Sequence, residues 1–116
     1  LLWLMFANSG LHGAYSKVMF LKKNGGDDEI IKKGCEAVQA QWDEIERHLN
    51  EAGTTFLAGE TVTAGDIYAS VVANWQFIPH LPTFGPKTKK MIEAVSQRAS
   101  FQKVLEAESV EYKAAA

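Results

Sequence analysis

Four side chains near the start of the chain, those of Asn8, His12, Tyr15 and Met19, have the chemistry to line a ligand site. Steps of four, three and four residues place all of them on one face of a helix. Such a face offers an amide, an imidazole that titrates near neutrality, a phenol and an adaptable thioether, which together suit an apolar pocket. The alternative is that Tyr15 and Met19 belong to the core and that His12 is a hydrogen-bonded histidine at an interface. The spacing leaves both interpretations open.

The Asp residue in the stretch TVTAGDIYA, residues 61–69, could be catalytic, a metal ligand or structural. If Thr63 is the N-cap of a helix, Asp66 takes the third helical position. Its carboxylate can then accept from the Thr63 amide, while the Thr63 oxygen accepts from the Asp66 amide. Val62 and Ile67 take the two positions of a hydrophobic staple, and the carboxylate lies at the positive end of the helix dipole. The pattern therefore predicts that Asp66 is structural.

The single cysteine, Cys35, cannot form a disulfide within the chain, and no spacing of Cys and His residues suggests a zinc site. Cys35 also falls on an apolar helical stripe, which favours a buried thiol over a reactive one. These features predict a protein of a reducing compartment, the cytoplasm, that holds no metal.

Charge and composition narrow the classes of partner. The net charge is -2, and the 12 Lys and Arg residues are spread among 14 acidic residues, whereas nucleic-acid binding needs a basic stripe. The first 21 residues carry one charged group, Lys17, but polar residues interrupt the apolar run too often for a membrane span. We therefore expect neither a nucleic acid nor a membrane as a partner.

The elements that must position these residues are helices. From Asp27 or Asp28, either of which can cap an N-terminus, apolar residues recur every three or four positions for about six turns. They are Ile31, Cys35, Val38, Trp42, Ile45 and Leu49. A more apolar helix is predicted from Thr63 to the region of Pro79, where proline cannot continue it.

Two shorter helices are expected to close the domain, one over roughly residues 86–98 and one capped by Ser100. The tail VEYKAAA, residues 110–116, is expected to fray. The pattern thus predicts one all-α domain, residues 1–116, with about five helices.

Three stretches resemble the C-terminal, all-helical domain of cytosolic glutathione S-transferases of the bacterial, beta-like type. FLAGETVTAGDIYA, residues 56–69, is similar to the signature in which a capping box and a staple begin the core helix of that domain. LHGAYSKVMF, residues 11–20, resembles its first helix, and RASFQKVLEAE, residues 98–108, resembles its closing segment. The resemblance covers most of the chain and implies a helical bundle of this family.

The resemblance implies a two-domain, dimeric enzyme that conjugates glutathione to a hydrophobic electrophile. In the family a thioredoxin-like N-terminal domain binds glutathione and carries the Tyr, Ser or Cys that activates its thiol. No βαβ pattern precedes the helices of this chain, so we expect that domain, and with it any catalytic residue, to be missing here. The isolated helical domain is then inactive, and its expected contribution is the electrophile pocket and much of the homodimer interface.

The family also bears on individual residues. Some bacterial members carry a His that matches His12 near the glutathione sulfur, followed by a basic residue, whereas Gly13 follows here. Trp75 resembles a Trp near the pocket of the same group. An alternative function is a non-enzymatic interaction module, because domains of this resemblance also occur in translation factors and aminoacyl-tRNA synthetases, where they mediate assembly.

Overall fold

The computed structural model describes residues 1–115, and within them the chain forms five helices and no strand. The first helix, α1, covers residues 2–23 and runs continuously through three segments, Leu2–Met5, Phe6–His12 and Gly13–Lys23. The others are α2 (Asp28–Ala52), α3 (Ala64–Ala73), α4 (Pro86–Ser96) and α5 (Ala99–Ala107). The prediction of an all-α bundle of about five helices is confirmed.

Helix α2 is the long amphipathic helix that the apolar spacing predicts. Asp27 is its N-cap, and its carboxylate accepts a hydrogen bond from the Ile30 amide at 2.8 Å. All six residues of the predicted stripe, Cys35 included, are buried. The helix ends at Gly53, which adopts the left-handed conformation that glycine tolerates best. The stripe packs along α1 on one side and against α4 on the other.

Helix α3 begins at the capping box predicted for Thr63 and Asp66. The fully buried Asp66 carboxylate accepts from the Thr63 amide through Oδ2 at 2.8 Å, and the Thr63 hydroxyl also donates to Oδ2 at 3.0 Å. Its other oxygen, Oδ1, accepts from the Leu57 amide at 2.8 Å, a bond that the local pattern does not reveal. Asp66 therefore joins the helix start to the preceding loop. The staple stays a prediction, since Val62 is half-buried while Ile67 is exposed.

The start of α3 lies directly against α1. A Cβ atom added to Gly65 would lie 3.0 Å from both the Cβ and the carbonyl carbon of Trp3, closer than packed atoms normally come. Glycine at this position therefore lets the two helix backbones approach each other. Any larger residue would push α1 away from the core helix.

Helix α3 is shorter than the sequence predicts: it ends at Ala73 and not near Pro79. Asn74 follows it, and its side chain bonds to the C-terminal tail: Oδ1 accepts from the Lys113 amide at 2.7 Å, and Nδ2 donates to the Glu111 carbonyl at 3.0 Å. The Tyr112 hydroxyl donates to the Ser70 carbonyl at 2.5 Å. The expectation that the tail frays is therefore wrong as far as Ala114, which is buried. Ala116 lies outside the described residues.

The predicted cap of the last helix is also wrong. Helix α5 starts at Ala99, two residues before the start that a cap at Ser100 predicts, so Ser100 lies within its first turn and makes no side-chain cap. Arg98 occupies the N-cap position without a side-chain hydrogen bond to the helix. Helix α5 packs against α4 alone among the other helices.

Helix α4 receives its cap from another helix. The Glu46 carboxylate, on α2, accepts from the Thr88 amide at 2.8 Å, from the Thr88 hydroxyl at 2.9 Å and from the Lys87 amide at 3.3 Å. Asn50 donates a further bond at 2.8 Å. Burial disfavours ionisation of Glu46, but the bonds from Thr88, Asn50 and Lys87 outweigh it and lower its pKa. A side chain on Gly85, the N-cap, would collide with this carboxylate.

In residues 1–115, no helix combines the length and the apolar character that a bilayer crossing requires.

We predict that Asp66→Ala lowers the free energy of unfolding by about 3 kcal/mol, because it removes a helix cap and leaves two amides without partners. Urea denaturation followed by circular dichroism measures the change. Asp66→Asn, which keeps one acceptor oxygen, should lose less. Asp28→Ala, at an exposed position in the first turn of α2, is the matched control. A loss for Asp66→Ala no larger than the control's would contradict a structural role.

We predict that Glu46→Gln destabilises the protein at pH 7 by about 1 to 2 kcal/mol, because it removes the charged acceptor at the start of α4. The folded-state pKa of Glu46 is lowered, so its contribution is complete above its ordinary value of 4.5 and is lost as the pH falls through the folded-state value. Thermal unfolding from pH 7 down to pH 3 should therefore show the wild-type and Gln curves converging. Glu36→Gln, at an exposed position, should show no such convergence.

Candidate functional site

Two of the predicted site residues, Asn8 and His12, lie in an unusual part of α1. Residues Phe6–His12 form a π-helix, in which each turn is wider than in an α-helix. Such segments inside α-helices occur frequently at functional sites. The backbone stays helical on both sides, at Met5 and at Gly13, so the widening is confined to the segment that carries these two side chains.

A side chain from α3 joins Asn8 to His12. The Tyr68 hydroxyl donates a hydrogen bond to Asn8 Oδ1 at 3.0 Å and lies 2.6 Å from His12 Nδ1. Tyr68 is 56 positions from His12 and 60 from Asn8 in the chain, and it reaches both because α1 packs across α3. Tyr68 is not among the predicted site residues, although it lies within the stretch TVTAGDIYA.

The structure places Tyr15 in the core. Its side chain is fully buried, and its hydroxyl oxygen accepts from Trp42 Nε1 at 3.1 Å. Burial raises the pKa of Tyr15 to about 12, although the bond from Trp42 acts in the opposite direction. This phenol therefore stays neutral and cannot touch a bound molecule directly. Met19 is half-buried on the same helix.

Trp75, which follows the end of α3, connects the polar group to the core. Its ring meets the edge of His12 at a centroid distance of 5.0 Å and that of Tyr15 at 5.6 Å. Phe77 lies 5.5 Å from it in a tilted arrangement. Edge-to-face contacts, such as those of Trp75 with His12 and Tyr15, are favourable between aromatic rings. Trp75 therefore holds a fixed position next to His12.

Trp75 also lines a groove with a volume of about 650 Å³. The groove lies between α3, the segment after it, α5 and the C-terminal tail, and most of its walls are apolar. Val104 on α5 is 60% exposed, and Ile67 and Val71 on α3 are partly open as well. The remaining lining residues are Asn74, Gln76, Phe77, Arg98, Ser100, Phe101, Leu105, Glu108, Val110 and Tyr112. Its size lies within the range of small-molecule sites.

The groove depends on the tail that Asn74 holds in place. Tyr112 forms part of the wall, stacked edge-on against Phe101 at 5.3 Å. Burial raises the pKa of Tyr112, although its bond to Ser70 acts in the opposite direction, so this phenol also stays neutral. The groove therefore presents a neutral aromatic wall, with charges only at Arg98 and Glu108.

The predicted site residues thus do not form one site. Asn8 and His12 meet around Tyr68, Trp75 lies between that group and the groove, Tyr15 belongs to the core, and Met19 is half-buried on α1. Of the five, only Trp75 lines the groove. Within residues 1–115, no three His, Cys, Asp or Glu side chains are grouped as a metal site requires.

Comparison of the chain with known protein families, with curated proteins and with solved structures finds no match. We therefore infer the function from two features: the apolar groove, and the hydrogen-bonded group of Asn8, His12 and Tyr68, which Trp75 joins to the groove.

We predict that Asn74→Ala releases the C-terminal tail, because it removes the bonds to the Glu111 carbonyl and to the Lys113 amide. Amide hydrogen exchange measured by NMR should become at least tenfold faster at Lys113, whereas the amides of α2 should keep their protection. Gln76→Ala is the matched control, since Gln76 is exposed and makes no bond to the tail in residues 1–115. Equal exchange rates in the two variants would show that Asn74 does not hold the tail.

Proposed function

We propose that this chain is the helical domain of a bacterial-type glutathione transferase and that its groove binds the hydrophobic electrophile. The observation that carries the proposal is the apolar groove, whose wall includes Trp75, a residue that also contacts His12. The resemblance of residues 56–69 and 98–108 supplies the family. Residues 67 and 71 on α3 and residue 104 on α5, which line the groove, lie in or next to these stretches.

The proposed division of labour follows from the chemistry of conjugation. The glutathione thiolate attacks an electrophilic carbon of the second substrate, and the leaving group departs with the bonding electron pair. Holding the electrophile beside the thiolate converts an encounter of two molecules into a reaction within one complex. An apolar groove suits this task, since such electrophiles are largely aromatic or aliphatic and gain free energy from burial.

The groove offers little beyond shape and apolar contact, which favours a broad range of substrates. Its walls are mostly aliphatic and aromatic, and the tyrosine that lines it, Tyr112, is neutral and already hydrogen-bonded. Binding through apolar area discriminates weakly between ligands of similar size. Glutathione itself and the thiol-activating residue belong, in this proposal, to a thioredoxin-like domain.

A second candidate is a protein-interaction module. The start of α1 favours it, because Leu1 is 94% and Leu2 is 75% exposed, and Met5 beside them is exposed as well. An apolar patch of this kind suits contact with another protein surface. The same patch would serve a homodimer or a second domain of a transferase, so it supports partners in both candidates.

The test is binding of 1,3-dinitrobenzene to the 116-residue chain, monitored by two-dimensional NMR. This aromatic probe resembles an electrophile but does not react. We expect saturable shifts at Val71, Trp75 and Val104. Val71→Asp should weaken binding at least fivefold, because it places a charge in the apolar wall. Ile30→Asp, an equally exposed aliphatic position on α2, is the matched control and should bind normally.

Reduced glutathione should cause no shifts in the same chain, since its site is assigned to another domain. Shifts outside the groove, or equal losses in the two Asp variants, would overturn the assignment of the groove. Failure of every aromatic probe to bind, together with concentration-dependent self-association through Leu1 and Leu2, would favour the interaction module.

A further inference from the structure

We infer that Tyr68 is a positioning residue that fixes the tautomer of His12, with the proton on Nδ1 and a free lone pair on Nε2. A phenol has one hydrogen, and Tyr68 donates it to Asn8 Oδ1, an amide oxygen that can only accept. The 2.6 Å contact between the Tyr68 oxygen and His12 Nδ1 therefore needs its hydrogen from the imidazole.

In a neutral imidazole one nitrogen carries the hydrogen and the other accepts. With Nδ1–H bound to Tyr68, Nε2 of His12 is the acceptor. Asn8 thus acts on His12 through Tyr68. The Asn8 carbonyl oxygen accepts the phenol hydrogen, so the contact between Tyr68 and His12 requires the imidazole to be the donor.

His12 Nε2 is also accessible. No hydrogen bond joins it to any other atom of residues 1–115, where the one bond of His12 is that of Nδ1. His12 is half-buried, and in the same residues every buried side-chain nitrogen or oxygen of a buried or half-buried residue has a hydrogen-bond partner. An unpartnered Nε2 therefore has to reach solvent. A fixed lone pair at the surface of the molecule, beside Trp75, is available to a ligand.

This geometry sets a requirement on what binds there. The ligand atom that meets Nε2 has to bring a hydrogen, as a thiol, a hydroxyl or an amide does. An ether or an ester oxygen in that place would face the lone pair of Nε2 and leave both acceptors unpaired. The tautomer stands independently of the proposed function, and only its use in choosing a groove ligand rests on that proposal.

The tautomer is tested by long-range proton–nitrogen NMR of the ¹⁵N-labelled chain at a pH where His12 is neutral. We expect the shift of a protonated nitrogen at Nδ1 and of an unprotonated one at Nε2. Tyr68→Phe removes the acceptor for Nδ1–H, and Asn8→Ala frees the Tyr68 hydrogen to be donated to Nδ1. Both variants should therefore move His12 towards the tautomer protonated at Nε2.

Asn24→Ala is the matched control, because Asn24 is exposed and its amide donates to the Phe20 carbonyl at the C-terminal end of α1. It should leave the His12 shifts unchanged. Asn8 is exposed, so its variant tests the inference even where Tyr68→Phe perturbs packing. A wild-type His12 protonated at Nε2, or unchanged shifts in Asn8→Ala, would overturn the inference.

Ligand choice is tested with phenol and anisole, two probes in which the oxygen carries a hydrogen and a methyl group, respectively. Phenol should bind at His12 about threefold to tenfold more tightly than anisole, and Tyr68→Phe should reduce this ratio. Equal affinities would overturn the ligand requirement while the tautomer shifts still report on Tyr68. Loss of dinitrobenzene binding in the groove, by contrast, would overturn the proposed function and leave the tautomer untouched.

Discussion

The hydrogen bonding of one buried carboxylate, that of Asp66, sets the arrangement of the helices around the site. A buried carboxylate is costly unless its oxygens are hydrogen-bonded, and here both are: one to the Thr63 amide and hydroxyl, the other to the Leu57 amide. These bonds fix where α3 begins and how the preceding loop approaches it. Gly65, next to Asp66, then lets α1 come close. Tyr68 meets Asn8 and His12 only because both constraints hold.

The other end of α3 is set by an amide in place of a carboxylate. Asn74 binds the backbone of the tail through both its oxygen and its nitrogen, which is why the helix is followed by a turn and the tail folds back. A short helix with two strongly hydrogen-bonded ends thus presents Tyr68 on one side and Val71 on another. The polar group and the apolar groove are two faces of one element.

Local patterns predicted what depends on neighbours in the chain. The apolar stripe of α2, its Asp27 cap and the capping box at Thr63 each lie within a few residues and are confirmed. The features that were missed join distant residues. The cap of α4 comes from Glu46, about forty positions earlier, and the tail is held by Asn74, so no local pattern near Pro86 or in VEYKAAA could reveal either. The predicted α3 is too long for the same reason: the bonds of Asn74 to the tail are not visible in the local sequence.

The candidate site shows the same division. Helical spacing placed Asn8, His12, Tyr15 and Met19 on one face, but that spacing cannot tell a face that lines a pocket from one that lies in the core. The structure separates them by their partners: Tyr15 bonds to Trp42 and is enclosed, whereas His12 bonds to Tyr68 and keeps one nitrogen open. The chemistry available at the surface of a helical bundle is therefore decided by the polar atoms that have no hydrogen-bond partner within the protein. His12 Nε2 is such an atom, and it lies beside Trp75, the one predicted site residue that also lines the groove.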